Sequence, residues 1–265
     1  MSNNITRIEL PEFKAENNDF VYGFYGKNGG VSEGFYESLN VSYQSSDDIA
    51  SVKENRRRIA AMLSRHNMEI MTANQIHSRN CLVVENAFEP SQLAPDADAL
   101  VTDVANVPIA VMTADCCPIL FYAQKDNGRP IIGAAHAGWC GALKGVIEST
   151  VEGIRHLGGD LASIKACIGP TIQRKSYEVT MDFSRPFLEE DPLSERFFSA
   201  GKNIDKLQFD LPGYVTSRLG RTGIKSVCDS GLDTYTLAED FFSYRRAQHR
   251  TENDYGRQAS VIMIT

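Results

Sequence analysis

Long apolar runs and long blocks of basic residues are missing from this sequence of 265 residues, and cysteines are few. No apolar stretch approaches the ~18 residues that a membrane helix needs, so we expect no membrane insertion. Acidic residues outnumber basic ones by 34 to 27, and the one basic cluster, Arg56–Arg58, falls within a helical pattern. A chain with a formal charge of -7 is not expected to bind nucleic acid, and a small-molecule substrate is favoured.

Cysteine is sparse, and linker-like composition is missing. Six cysteines in a chain of this length are too few for a disulfide framework. Residues Met1–Asn4 lack the basic-then-apolar run of a signal peptide, so we expect a cytoplasmic protein with reduced thiols.

No Pro/Gly/Ser-rich linker, low-complexity segment or repeat is present, which predicts one domain over residues 1–265. We expect a monomer or a weak homo-oligomer.

Helical and strand patterns are interspersed along the chain, which predicts a mixed α+β fold. Apolar residues at helical spacing predict a helix over Asp48–Arg65, capped by Asp47 or Asp48, and another over Leu143–Leu157. The charged segment Pro186–Lys206 is predicted to be helix and loop. Short apolar runs predict strands at Cys81–Glu85, Ala99–Val101, Val107–Met112, Ile119–Tyr122, Ile131–Ala135, Ile164–Ile168, Ile224–Cys228 and Ser260–Ile264.

Histidine is scarce, so each of the five residues can be judged by its position. His66 and His156 lie in the last turns of predicted helices, where a partly cationic ring complements exposed carbonyl groups. His249 lies in a polar stretch that is typical of a surface loop. His77 precedes a predicted strand and His136 ends one, and strand ends are where a rigid scaffold presents reactive groups. These two are the candidates for chemistry.

Cys116, at another strand-to-turn junction, completes a set of suitable metal ligands with His77 and His136. Two imidazoles and one thiolate have the composition of a catalytic zinc site, in which three protein ligands leave the fourth position to water or substrate. Thiolate and imidazole also suit copper, which is the alternative metal. Because no compact metal motif is present, the prediction depends on three distant turns converging.

Other functions of these residues stay open. A cysteine hydrolase or amidase would use Cys116 as the nucleophile and His136 as its base. A purely structural metal site would close with a fourth protein ligand, supplied by Cys117 or Cys140. A true multicopper laccase is excluded by counting, because the chain has no His-X-His pair and only two of its five histidines are uncommitted.

Several motifs, in their order along the chain, resemble the laccase-domain family, also known as the polyphenol oxidase-like or peptidoglycan-editing factor family. They are Gly29–Ser32, Ser38–Asn40, Gln75–His77, Asp96–Thr102, Thr113–Pro118, His136–Trp139, Phe241–Arg246 and Gly256–Ser260. Members of that family are described as purine nucleoside phosphorylases. The resemblance implies a single-domain layered α/β sandwich with mixed sheets. It also implies a zinc or copper ion on the positions matching His77, Cys116 and His136, which would be the catalytic residues.

The resemblance further implies purine nucleosides and phosphate as substrates. The implied reactions are phosphorolysis of adenosine, inosine or methylthioadenosine and hydrolytic deamination of adenosine. A metal-bound water would supply hydroxide for the deamination, and Asp98 and Asp115 are the candidate proton relays and substrate-binding residues. The zinc-deaminase pattern is absent, because Arg79 and Gly138 stand where it requires glutamate. Some bacterial relatives are linked to correcting cell-wall precursors, a role that would also suit the cysteine-hydrolase alternative.

Two departures from the family pattern concern anion binding. The family usually has arginine after His-Ala-Gly-Trp and before the paired glycines, where this chain has Cys140 and a Gly-Lys pair ending at Lys27. Each change removes a planar, bidentate anion donor. The remaining candidate donors are Lys27, Arg245, Arg246 and the helix N-terminus predicted after Gly141. Lys27 and Arg245 are therefore predicted to bind substrate.

Overall fold

The computed structural model describes residues 5–14, 18–63, 68–87 and 94–265, which fold into interspersed strands and helices. The strands are β1 Arg7–Ile8, β2 Phe20–Tyr25, β3 Cys81–Val83, β4 Ala99–Thr102, β5 Ile109–Thr113, β6 Cys117–Gln124, β7 Pro130–Ala137, β8 Lys165–Ile168, β9 Glu178–Thr180, β10 Phe198–Ala200, β11 Lys206–Phe209, β12 Ser226–Asp229 and β13 Gln258–Ile264. The helices are α1 Ile49–Leu63, α2 Trp139–Lys144, α3 Val146–His156, α4 Arg185–Glu190, α5 Leu211–Arg221 and α6 Tyr244–His249. The predicted α+β class is confirmed.

The described strands form three sheets. The largest has the order β12-β8-β6-β7-β4-β3, and it is mixed because its outer pairs β12–β8 and β4–β3 are parallel while its inner pairs are antiparallel. The second sheet, β1-β2-β13-β5, and the third, β10-β11-β9, are antiparallel throughout.

Alternating side chains on the strands create the layers of the fold. On β6, Ile119 and Phe121 pack in a core shared with α3 and α5, whereas Leu120 packs against the four-stranded sheet. On β13, Ile262 joins the core between the two sheets, and Val261 packs with α1. Because successive strand residues point to opposite faces, the layers run in the order α1, four-stranded sheet, six-stranded sheet, α3 with α5. The predicted layered sandwich is confirmed.

The helix predicted over Leu143–Leu157 is divided in two. Helix α2 ends and α3 begins at Gly145, whose φ is 97°. Glycine adopts this left-handed conformation without the steric cost that a Cβ would bring. The Gly145 N–H donates to the carbonyls of Ala142 and Gly141 and thereby closes α2. Apolar spacing continues across the break, so the periodicity alone did not reveal it.

Several elements outside the centre of the fold were not predicted: β1, β2, β9, β11, α5 and α6, and the strand β10 within Pro186–Lys206. The prediction of a surface loop around His249 was wrong, since this residue ends α6, and its Nδ1 lies 3.0 Å from the hydroxyl of Tyr235. His156 ends α3 as predicted, whereas His66 lies outside the described residues. None of the described helices has the length and apolarity needed to cross a membrane.

Candidate metal centre and active site

The three predicted ligands meet at one end of the six-stranded sheet. Cys116 immediately precedes β6, and His136 is the last residue but one of the neighbouring strand β7, opposite Pro118. His77 comes from the loop that leads into β3, on the far edge of the same sheet. The ligand atoms of the three side chains all lie within 4.8 Å of one another.

The spacing of these atoms fits one metal ion. Cys116 Sγ lies 3.7 Å from His77 Nε2, and the rings of His77 and His136 meet edge to face with centroids 4.8 Å apart. A tetrahedral zinc ion with bonds of about 2.0–2.3 Å separates its ligand atoms by about 3.5 Å. No other group of three such donors occurs in the part of the chain that the structure describes. Cys117 and Cys140 do not belong to the group, which argues against a site closed by a fourth protein thiolate.

Asp98 holds two of the three ligands in place. Its side chain is fully buried, and its Oδ1 lies 2.8 Å from His136 Nδ1 and accepts the backbone N–H of His77 at 3.0 Å. Its Oδ2 accepts the N–H groups of Ile76 and Ser78. The bond to Nδ1 leaves His136 Nε2 available to a metal. These three hydrogen bonds from backbone N–H groups hold the loop that contains His77, whose φ is 56°.

Charge favours the metal-binding form of Cys116, whereas a metal would have to displace a proton from His136. Burial raises the pKa of Cys116, but the charge and hydrogen bonds of His136 and His77 outweigh it, and the pKa falls to about 6. Burial lowers the pKa of His136, yet Cys116 and Asp98 raise it to about 9. For Asp98, the hydrogen bond and charge of His136 outweigh burial and lower the pKa to about 2. Cys116 is therefore readily a thiolate, the form that binds metals.

Gly138 allows the chain to turn closely over the ligands. A Cβ at this position would lie 2.8 Å from His77 Cδ2 and 2.9 Å from Cys116 Sγ, closer than real Cβ atoms approach other atoms. The absence of a side chain therefore lets the turn from β7 to α2 pack against two of the three ligands.

Asp115 joins the Cys116 turn to the start of α6. Its φ of 86° is unusual for a residue with a side chain. Its buried carboxylate accepts the hydroxyls of Thr234 and Ser243, at 2.7 and 2.9 Å, and the backbone N–H of Arg245 at 2.7 Å. Burial raises the pKa of this carboxyl despite those hydrogen bonds. The structure thus places Asp115 behind the turn, with its oxygens engaged by protein groups.

A cavity of about 370 Å³ opens beside the three ligands. Its lining also includes Tyr244, Tyr255 and Arg257, which were not predicted as site residues. The two tyrosine rings pack with centroids 5.0 Å apart, and the Arg257 guanidinium lies 4.4 Å from the centroid of the Tyr255 ring. The only sequence signal for these residues was their position within or beside the motifs Phe241–Arg246 and Gly256–Ser260.

The predicted anion donors lie outside this cavity. The Arg245 guanidinium donates to the Glu178 carbonyl at 2.6 Å and lies 5.2 Å from the centroid of the Tyr177 ring. Lys27 lines a second cavity. The prediction of a helix N-terminus after Gly141 was wrong, because α2 already begins at Trp139.

Comparison with known proteins identifies the family. The profile of the family described as "Multi-copper polyphenol oxidoreductase laccase" matches residues 21–265. The chain belongs to this family. The resemblance inferred from its motifs is thereby confirmed.

Similar proteins carry a different description. The purine nucleoside phosphorylase of Deinococcus radiodurans is 35% identical, over 97% of this chain and 94% of that protein. The purine nucleoside phosphorylase YfiH of Escherichia coli is 33% identical, over 89% of this chain and 90% of that protein. The crystal structure of a Neisseria meningitidis protein aligns with a TM-score of 0.83 at 31% identity, covering 98% of this chain and 99% of that one. YlmD from Geobacillus stearothermophilus aligns with a TM-score of 0.85 at 27% identity, covering 98% and 96%.

The number of metal-binding side chains distinguishes between a multi-copper oxidase and a purine nucleoside phosphorylase. A copper cluster needs more ligands than the one group of three found among the described residues. That group is sufficient for a single ion. The ligand set therefore agrees better with the relatives named purine nucleoside phosphorylase than with a multi-copper oxidase.

Proposed function

We propose that the protein is a metal-dependent purine nucleoside phosphorylase that cleaves adenosine, inosine or methylthioadenosine, and that the same site deaminates adenosine. The observation that carries the proposal is a group of two imidazoles and one thiol facing a cavity with two tyrosine rings. The substrate class comes from the names of similar proteins.

His77, Cys116 and His136 would hold the metal ion, which is zinc or, alternatively, copper. When bound, such an ion supplies a Lewis acid and lowers the pKa of water. Three protein ligands would leave a coordination position for water or substrate, and all three side chains line the cavity. Asp98 acts as a positioning residue in this proposal, because its oxygens hold His136 and the His77 loop rather than facing the cavity.

Tyr244 and Tyr255 would bind the purine. Both line the cavity, and 43% of Tyr244 is exposed, so a ring face is accessible to a flat base. Stacking of a base on an aromatic side chain is worth about 1–3 kcal/mol. Arg257 and Gln44 line the same cavity and offer hydrogen bonds to the sugar hydroxyls or the base edge.

Metal-loaded protein supplied with inosine and phosphate is expected to release hypoxanthine and ribose 1-phosphate, which mass spectrometry would detect. Omitting phosphate is the matched control and should stop the release of base. Adenosine without phosphate tests deamination separately, with inosine as the expected product. If a folded, metal-replete sample leaves inosine intact, the phosphorylase proposal is rejected.

One observation favours a second function. Cys116 with its lowered pKa lies beside His136 with its raised pKa, and a thiolate–imidazolium pair is the nucleophile and base of a cysteine hydrolase or amidase. Such an enzyme would act on cell-wall precursors.

Chelation distinguishes the two functions. We expect a chelator to abolish nucleoside cleavage and added zinc to restore it, because the proposed phosphorylase depends on the Lewis acid that the metal supplies. A cysteine hydrolase would instead keep its activity in chelator and lose it on thiol alkylation. Assaying both substrate classes with and without chelator would therefore decide between them.

A further inference from the structure

A second cavity of about 220 Å³ adjoins the first, and Tyr255 lines both. Its other lining residues include three basic side chains and two acidic ones: Lys27, Arg246, Arg250, Glu37 and Glu252. The lining therefore carries one more basic than acidic group in a chain with a formal charge of -7, which favours an anionic ligand.

The backbone of Lys27 is rigidly held at this cavity. Its N–H donates to the Asp240 carbonyl at 2.7 Å, and its own carbonyl accepts the N–H groups of Ser38 and Leu39 at 2.9 and 2.8 Å. Burial lowers the pKa of the half-buried ammonium, and the carboxylate of Glu239 offsets part of that effect. Within the described part of the chain, Lys27 Nζ has no hydrogen bond to another protein group. A bound anion would accept a hydrogen bond from this ammonium group.

The two arginines supply charge in different ways. Arg246 donates to the main-chain carbonyls of Thr234, Tyr235 and Phe241, so its guanidinium is held in place by neutral groups and keeps its charge available to the cavity. Arg250 lies 3.7 Å from Glu252, and 61% of its side chain is exposed. A surface ion pair at this distance contributes little, so Arg250 can turn towards a ligand.

We propose that this second cavity, lined by Lys27, Arg246 and Arg250, binds inorganic phosphate next to the nucleoside. The assignment rests on the proposed function. Converging cationic donors form short, charge-assisted hydrogen bonds with a tetrahedral oxyanion. The two cavities share the Tyr255 side chain as part of their walls.

The chemistry of phosphorolysis requires such an arrangement. A phosphate oxygen forms a bond to C1′ of the ribose while the bond from C1′ to N9 of the purine breaks. The electron pair of the broken bond passes to the purine, which takes up the proton that the phosphate gives away. The products are ribose 1-phosphate and the free base, and no other reactant is needed.

Removing the ammonium tests the assignment. In Lys27→Met, which keeps the length of the side chain, the KM for phosphate is expected to rise about tenfold or more, because a charge-assisted hydrogen bond is lost. Arg250→Ala should raise it by a smaller factor. The KM for inosine and the metal content should stay unchanged in both. Arg185→Ala is the matched control, since the Arg185 side chain is 68% exposed and forms an ion pair with Asp182. An unchanged KM for phosphate in Lys27→Met would overturn the proposal.

Measuring the binding of inorganic phosphate tests the anion site separately from the phosphorylase function. Calorimetry with inorganic phosphate should show weaker binding to Lys27→Met than to the wild type, with thermal unfolding confirming that the variant is folded. If that difference is found but no nucleoside is cleaved, the anion site stands and only the phosphorylase function fails. Equal binding by the two proteins overturns the anion site. If Lys27→Met weakens adenosine 5′-monophosphate but not inorganic phosphate, the cavity holds a nucleotide phosphate, and the assignment to the free ion is wrong.

Discussion

Replacing Cys116 with alanine is expected to abolish metal binding and to lower kcat/KM for inosine phosphorolysis by about a thousandfold or more. Cys116 provides one of three ligand atoms that lie within 4.8 Å of one another. With a pKa lowered to about 6, it is also the one ligand of the three that carries a negative charge near neutral pH. The two remaining imidazoles would hold a divalent ion far more weakly, because the charge that offsets the ion is lost.

Elemental analysis of the purified variant and steady-state kinetics with inosine and phosphate would check this prediction. Cys228→Ala is the matched control, since this thiol lies on β12 outside the ligand group and its loss should change neither quantity. Wild-type kcat/KM in a metal-free Cys116→Ala protein would contradict the metal-dependent mechanism, although it would leave the substrate class intact.

The substitution Asp98→Asn is expected to weaken metal binding by about 10–100-fold, the effect typical of losing the group that orients a ligating histidine. It should also lower the free energy of unfolding by about 2–4 kcal/mol. Asp98 Oδ1 meets both His136 Nδ1 and the His77 N–H. An amide keeps only one oxygen, so its NH₂ group must face N–H donors of the His77 loop or the ring of His136.

The pH dependence of stability provides a second readout for Asp98, because it reports the lowered pKa of this carboxyl. The pKa of Asp98 is lowered from 3.8 to about 2 in the folded protein. A carboxyl with a lowered folded pKa stabilises the fold above its unfolded pKa, and this contribution disappears as the pH falls through the folded value. The difference in stability between wild type and Asp98→Asn should therefore shrink between about pH 4 and pH 2.

Asp103→Asn is the matched control for this experiment, because Asp103 pairs with Lys125 at 2.7 Å and belongs to no ligand contact. Metal titration of both variants by calorimetry, with chemical unfolding at several pH values, gives the required quantities. A folded Asp98→Asn protein with wild-type metal affinity would show that His136 and the His77 loop need no such support.

The centre of the fold was predictable because its strands are buried on both faces. Strands β6 and β7 have apolar sequences because they lie between helices and the four-stranded sheet, and β5 has one because it lies between α1 and the six-stranded sheet. Strand β2 was missed, although it pairs with β13 in the four-stranded sheet. Its central Gly23 interrupts the strand pattern, and the pairing that stabilises it comes from residues more than two hundred positions away in the chain.

The amino-acid sequence by itself determined the class of the fold and the three residues whose side chains suit a metal. Both follow from local information: the spacing of apolar residues, the residue type, and the position at the end of a strand. Only the tertiary structure decided that Asp98 lies behind His136, that Arg245 contacts the Glu178 carbonyl, and that Tyr255 lies between two cavities. Such contacts depend on the register of strands brought together across the whole chain, as in the bond between Asp115 and Ser243, 128 positions apart. No local pattern encodes that register, because it is set jointly by all the strands of the two packed sheets.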